Sequence, residues 1–182
     1  GIMDKDGNPL AWVGRNLDYD EQRATWESTG RTGREPMKFR FPKTQLFRRG
    51  LETYGREWLS HPRFAESLKR YGLIVVEGFN DRLNLHKLGV MSVAIMSNQI
   101  TDEQVALTID DANEHAGGRV TLMPDLDAEG IKGAKECLWK FQRQGVHAKL
   151  AWSDVRRAGA FRGMQPEQLS EQQWKEVASK PW

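Results

Sequence analysis

The stretch Leu73-Ile74-Val75-Val76-Glu77-Gly78-Phe79-Asn80-Asp81 decides how the chain is read. Its four apolar residues make a run short enough for a buried strand, and Glu77-Gly78 ends it in a tight turn. Asp81 to Leu88 then sets Leu85 and Leu88 among polar residues, and Gly89 stops the segment as a helix C-cap does. The alternation continues with a second apolar run from Val90 to Met96. Thr101-Asp102-Glu103-Gln104 has the form of a capping box, with Val105, Ile109, Ala112 and Ala116 following at helical spacing up to Gly117-Gly118. Arg119 to Met123 is a third strand-like run. Ala128 to Phe141 carries Ile131, Ala134, Leu138 and Phe141 on one stripe and closes at Gly145, and Val146 to Trp152 is a fourth strand. Strands and helices in this order predict an α/β fold, a parallel sheet with right-handed crossover helices. Ligands of such sheets bind beyond the carboxyl ends of the strands, so the residues just after each strand are the candidates.

Acids occupy those places. Glu77 ends the first strand and Asp81 follows in the first turn of the next helix. Asp125 and Asp127 follow the third strand, and in an extended segment residues two apart point the same way, so both face one ligand. Carboxylates converging beyond a sheet edge repel one another unless a cation sits among them, and oxygen-only donors favour Mg²⁺ or Mn²⁺ over zinc. Each acid also has a plain structural reading: Asp127 as the cap of the helix at Ala128, Asp81 as a favourable charge at its own helix N-terminus. Gly130 and Gly133 open the helix after the aspartate pair. They suit either a phosphate approaching the backbone or close packing of helix on sheet.

The 182 residues include 27 Lys and Arg against 25 Asp and Glu, for a net charge of +2, with 38% hydrophobic residues. That balance hides a gradient. Residues 31–70 hold 11 basic and 4 acidic residues, whereas residues 71–154 hold 8 basic and 12 acidic. A basic front suits a polyanion and an acidic middle suits a metal. No apolar run is long enough to span a membrane, no signal peptide is visible, and an intracellular, cytoplasmic protein is expected. The single cysteine, Cys137, excludes an intrachain disulfide and a multi-cysteine zinc site, and is expected as a small buried hydrophobe. The four histidines lack ligand spacing and read as surface or helix-end residues. No Ser/His/Asp triad or P-loop can be assembled.

The front predicts a hairpin around Asp6-Gly7-Asn8-Pro9, and the chain starting within it suggests a piece of something longer. A polar loop is expected over 18–35, and a half-buried strand over Met37 to Phe41 with phenylalanines inward and basic groups outward. A turn and then a helix are expected over Thr44 to Leu59. Ser170-Glu171-Gln172-Gln173 starts a short helix ending near Ala178. Trp139 is expected to pack, while Trp174 and Trp182 are expected to mark a surface covered by another part of the full protein. Three parts result: 1–70, a basic nucleic-acid-binding subdomain; 71–154, the catalytic domain; and 155–182, an extension with a short helix.

Val75-Val76-Glu77-Gly78-Phe79-Asn80-Asp81 resembles the first motif of the Toprim family, and Pro124-Asp125-Leu126-Asp127-Ala128-Glu129-Gly130 resembles the second. Gly14-Arg15, Pro36-Met37-Lys38-Phe39, Leu46-Phe47-Arg48-Arg49-Gly50 and Tyr54-Gly55 resemble, in order, the basic subdomain of bacterial DnaG-type primases. The resemblance covers roughly residues 2–152. It implies a Toprim-like (Rossmann-like) parallel sheet with flanking helices, preceded by a small basic α+β subdomain. It further implies a metal site for Mg²⁺ or Mn²⁺ at Glu77, Asp125 and Asp127, supported by Asp81. Arg15 would lie near the DNA strand, and Lys38, Arg48 and Arg49 near template or nucleotide phosphates. The reaction implied is synthesis of short RNA primers from ribonucleoside triphosphates on single-stranded DNA. A replicative helicase would be met through regions outside this chain, and zinc is expected only in an upstream module that the chain does not contain.

The chain departs from that family in two places. Ser97-Asn98-Gln99 stands where a Gly-Thr loop is usual, with Asn98 the polar residue expected to meet a nucleotide. A third acidic cluster of the form Gly-x-Asp-Pro-Asp has its nearest match in Gly163-Met164-Gln165-Pro166-Glu167, where only Glu167 is acidic; Asp154 is a further acid nearby in sequence. These departures leave two alternatives beside the primase: a Toprim nuclease using the same carboxylates, and a non-catalytic nucleic-acid-binding module.

Overall fold

The computed structural model describes residues 1–153 and 160–179. The chain opens with the expected hairpin, β1 (Ile2–Met3) antiparallel to β2 (Pro9–Ala11). The Asp4 carboxylate closes its turn by accepting the Asp6 and Asn8 N–H groups at 2.9 and 2.8 Å. Next, β3 (Gly14–Arg15) pairs antiparallel with β4 (Phe39–Arg40) across a connection containing α1 (Tyr19–Ser28).

That helix corrects the loop expected over 18–35. None of its residues is buried, so it carries no apolar stripe for periodicity to reveal. Asp20 and Glu21 complement its N-terminus, Arg23 bonds Glu27 one turn on at 2.8 Å, and Arg23 also bonds Glu35. The helix expected within 44–59 is replaced by two 3₁₀ turns, Arg49–Leu51 and Arg56–Trp58. Between them Tyr54 is extended and exchanges backbone hydrogen bonds with Ala94 at 2.8 and 3.0 Å, a pairing no helix offers. Gly55 at φ 103° then takes the left-handed turn that follows.

Beyond α2 (Ala65–Tyr71), strand and helix alternate as the sequence predicts: β5 (Leu73–Val76), α3 (Phe79–Lys87), β6 (Ser92–Ala94), α4 (Asp102–His115), β7 (Val120–Leu122), α5 (Ala128–Arg143) and β8 (Lys149–Leu150). All four strands are parallel in the order β6-β5-β7-β8. Every residue of β5 is buried, so its run is continuously apolar. The pleat sends Leu73 and Val75 into one core with Phe64, Leu68, Ile100, Val105, Cys137 and Phe141. Ile74 and Val76 enter the other, with Leu85, Met123, Trp152 and Phe161. α6 (Glu171–Ser179) closes that second core with Trp174 and Val177.

Two tryptophan expectations are therefore reversed. Trp174 is buried and packs edge-on against Tyr71 at 5.2 Å, whereas Trp139 stands 70% exposed on α5, beside the apolar stripe rather than on it. Trp182 and Asp154 lie outside the described residues.

The front of the chain is lashed to the sheet by buried polar groups as well as by apolar contact. Gln104, fully buried on α4, donates to the carbonyls of Glu52 at 2.7 Å, Ile95 at 2.9 Å and Arg49 at 3.3 Å. Arg56 forks onto Asp111 of α4 at 2.7 and 2.8 Å, with Glu52 at 3.2 Å, and both members of the pair are buried. Removing one partner strands the other charge out of water. Asp111→Ala should cost about 3–5 kcal/mol, read as a lowered urea midpoint at unchanged slope. Arg56→Met with Asp111→Leu should recover most of that loss. A midpoint unmoved by Asp111→Ala would show that the pair contributes nothing.

Candidate functional site

The sheet order brings the acids together. Because β5 and β7 are neighbours, with Val75 opposite Leu122, the segments leaving their carboxyl ends run side by side, and these carry Glu77 and Asp125. Asp81 enters from the first turn of α3. Its Oδ2 accepts the Gly78 N–H at 2.9 Å and its Oδ1 accepts the Glu167 N–H at 2.9 Å. The second bond docks the Gln165–Glu167 loop against the first motif, so Glu167 and Gln165 line the same cleft as Glu77, Asp81 and Asp125. Sequence reading left Glu167 as the remnant of a third acidic cluster; the chain crossing at Asp81 is what places it.

The cleft measures about 660 Å³. The same cleft is lined by Lys38, Arg34 and Arg49, with Lys38 near enough to Asp81 for its charge to be felt there, and by the apolar Phe39, Phe41, Phe79 and Met96. Phe39 and Phe41 face inward as expected, with ring centres 4.9 and 5.9 Å from Phe79, and the Arg49 guanidinium lies 5.1 Å over Phe41. Arg34 is a cleft residue the sequence reading missed; it sits in a polar stretch with no motif to mark it.

Four other candidates lie elsewhere. Asp127 caps α5, its Oδ1 accepting the Gly130 N–H at 2.8 Å, and is not among the residues lining the cleft, although its charge is felt by both Glu77 and Asp125. Arg15 stacks over Phe39 at 5.2 Å and is not among the lining residues. Arg48 faces an adjoining groove with Phe47 and Glu103. Asn98 lines a small, largely apolar cavity with Cys137 and Gly133. The two glycines of α5 serve packing: a Cβ at Gly130 would meet the Asp125 carbonyl oxygen at 2.3 Å, and one at Gly133 the Asn98 carbonyl oxygen at 2.9 Å.

Burial and mutual repulsion hold the cleft acids well above the usual carboxylate range. Burial raises Asp125 to about 8, aided by the charges of Asp81 and Glu77. Glu77 is raised to about 7, first by burial, and then by Asp81 and Asp127 against the pull of the Asp125 N–H. Asp81 is raised to about 6 by burial, although the Glu167 and Gly78 N–H groups and Lys38 draw it back. Asp125 Oδ1 is buried with no hydrogen-bond partner. Among the described residues, no three acidic, histidine or cysteine side chains are gathered closely enough to hold an ion as they stand. The donor set nonetheless suits a hard divalent cation: all oxygen, mutually repelling, and including one orphaned buried carboxylate oxygen.

Residues 74–156 match the family model described as Toprim-like. The fold of this segment is Toprim-like. The whole chain is similar in fold to solved primase structures. The zinc-binding and RNA polymerase domains of the Aquifex aeolicus primase are 19% identical, with a TM-score of 0.67 over 98% of this chain and 38% of that one. A DnaG primase catalytic domain bound to single-stranded DNA is 21% identical, with a TM-score of 0.66 over 98% and 49%. The RNA polymerase domain of Mycobacterium tuberculosis primase DnaG, in complex with double-stranded DNA, is 17% identical, with a TM-score of 0.67 over 98% and 51%. The chain thus spans about half or less of the length of these structures. No curated protein matches it in sequence. The Toprim-like fold accounts for the strand order and for the acids at the strand ends.

Since the three raised acids of the Toprim-like domain keep protons that the unfolded chain has released, their contribution to stability is complete below about pH 4 and is lost as pH rises through about 6, 7 and 8. In EDTA, the melting temperature should fall between pH 5 and pH 8.5, and Asp125→Asn should shrink that fall. Mn²⁺ should raise the wild type at pH 8.5 and raise Asp125→Asn much less. A variant whose thermal profile tracks the wild type at both pH values would contradict the account.

Proposed function

We propose that this chain is a catalytic-core portion of a DNA primase, which joins ribonucleoside triphosphates into a short RNA primer on single-stranded DNA. The observation that carries the reading is the cleft itself, which Glu77, Asp81 and Asp125 line together with Lys38, Arg34 and Arg49. A cleft that gathers both acids and bases suits a divalent ion together with polyphosphate, and mere polyanion binding does not require the acids. The primase fold of the solved relatives supports the same reading. Glu77 and Asp125, with Asp81 behind them, are the residues that would hold Mg²⁺ or Mn²⁺. Asp127 belongs to that set in the family pattern; its Oδ1 caps α5, and its charge is felt by both Glu77 and Asp125. When bound, such an ion polarises the phosphoryl group and lowers the pKa of an attacking hydroxyl.

The rest falls to this chain's own side chains. Lys38 and Arg49 neutralise triphosphate or template phosphates. Arg49 is held in place by its own carbonyl on Gln104 and by its stacking on Phe41. Asp81 fixes the turn after β5 through Gly78 and the opposite loop through Glu167, which sets the cleft's width. Arg15 and Arg48, outside the cleft lining, are suited to the phosphates of a DNA strand, and Asn98 lines a separate small cavity. A soluble, cytoplasmic setting at a replication fork fits this activity, and among the described residues no helix is long and apolar enough to cross a membrane. Contact with a replicative helicase would fall to regions outside this chain, and a zinc-binding domain is named for one of the longer relatives.

A second reading, a binding module without catalysis, is favoured by Asp127's engagement as a cap and by the lack of a ready-made three-acid group. Labelled ribonucleotides with a single-stranded template and Mn²⁺ separate the readings. Primer synthesis abolished by Asp125→Asn is the expected result. DNA binding with neither synthesis nor metal dependence would establish the binding module, and template cleavage without synthesis would establish a nuclease.

Arg49→Ala should weaken single-stranded DNA binding about equally for all sequences and reduce the slope of log affinity against log salt by about one. An unchanged slope would remove Arg49 from the phosphate contacts.

A further inference from the structure

One side chain of the cleft is held in a backbone conformation that its residue type disfavours. Met96 has φ 61°, and Arg31 is the one other residue besides glycine with a left-handed φ among the described residues. Arg31 is exposed just beyond α1. Met96 is 6% exposed and stands two residues after the end of β6, its N–H donating to the Glu77 carbonyl at 2.8 Å. A glycine would adopt this φ without steric cost. Whatever keeps a methionine there, backbone geometry does not ask for it.

The side chain has a clear position. It shares an apolar cluster with Ile2, Ala11 and Phe79, with Phe39, Phe41 and Tyr54 packed around them. It also lines the cleft beside Glu77 and Asp125. The cleft therefore has two chemically distinct parts, a charged part of acids and bases and an apolar wall of Phe39, Phe79 and Met96. Phosphates are drawn to the charged part. A nucleoside triphosphate seated there still has an aromatic base to place, and thioether and aromatic groups are favourable neighbours for a flat polarizable ring. A strained residue at a binding cleft is the pattern expected where side-chain contact matters more than local comfort.

We propose that Met96 is a specificity-determining residue of this cleft: its side chain forms, with Phe79, the surface on which the base of the incoming nucleotide rests. The inference rests on the primase reading and adds the part of the substrate that the charged residues cannot distinguish. Met96 thereby rewards a nucleoside over a bare polyphosphate. Met96→Gly removes the thioether and relaxes the backbone, whereas Met96→Leu keeps an apolar side chain of similar size.

The test is equilibrium binding of ATP and of inorganic tripolyphosphate, each with Mn²⁺, by calorimetry. Wild type should bind ATP more tightly than tripolyphosphate. Met96→Gly should lose about tenfold in ATP affinity with tripolyphosphate unchanged, and Met96→Leu should stay within about twofold of wild type. Met96→Ala, whose thermal melt can be checked alongside, repeats the measurement should the glycine variant fold poorly. Equal loss for both ligands, or no loss for either, would overturn the role of Met96 while leaving the metal–phosphate cleft standing. Wild-type protein that binds neither ligand would overturn the primase reading and this inference with it.

Discussion

Three carboxylates held partly out of water at the rim of one sheet resist ionising together near neutral pH unless positive charge stands among them. The rest of the site follows from that conflict. β5 and β7 are hydrogen-bonded neighbours, so the acids that leave them have no room to separate. Asp81 is partly relieved by two backbone N–H groups, but Asp125 keeps a buried oxygen with no partner. A chain selected only for stability would replace one of these acids. Their presence at a rim whose cleft basic side chains also line is the physical basis for reading function here.

The remaining structure supports that rim from both sides. The parallel sheet, buried on each face by its own apolar cluster, supplies a rigid base. The front of the chain is held against it by the third cluster, by Gln104 and by the Arg56–Asp111 pair. These ties hold the segments that carry Lys38 and Arg49 against the sheet, although they are far in sequence from the acids with which they line the cleft.

Much of this could be read from residues alone, and the divide is physical. The alternating core elements were legible because a buried strand and an amphipathic helix each impose a period. The capping box at Thr101 was legible because it is a local hydrogen-bond pattern, and it forms as read, with Thr101 Oγ1 accepting the Gln104 N–H at 3.1 Å. α1 was not legible, because a helix exposed on all sides has no period to show. Tyr54 was misread because its partner, Ala94, is remote in sequence. Asp127 carried two legible roles, cap and ligand; the cap forms at Gly130, and its charge still reaches Glu77 and Asp125. Trp139 and Trp174 were exchanged because aromatic character says nothing about which side of a helix meets the core. Met96 escaped notice because a left-handed backbone in a non-glycine residue leaves no trace in composition or spacing.

The strand order also governs when this molecule can come into being. β5 lies between partners that are both made after it, β6 across one helix and β7 across two. During synthesis it must leave the ribosome with both hydrogen-bonding edges bare and all four side chains apolar. One edge can be covered once Ser92–Ala94 has emerged, the other stays bare until Val120–Leu122 follows, and Asp81 lacks its second backbone donor until Glu167 is made. Pairing over such distances along the chain is slow, and the interval exposes an adhesive segment. Assembly of the cleft is therefore among the last events of folding, and the nascent chain's most vulnerable moment falls in the gap between its second helix and its third parallel strand.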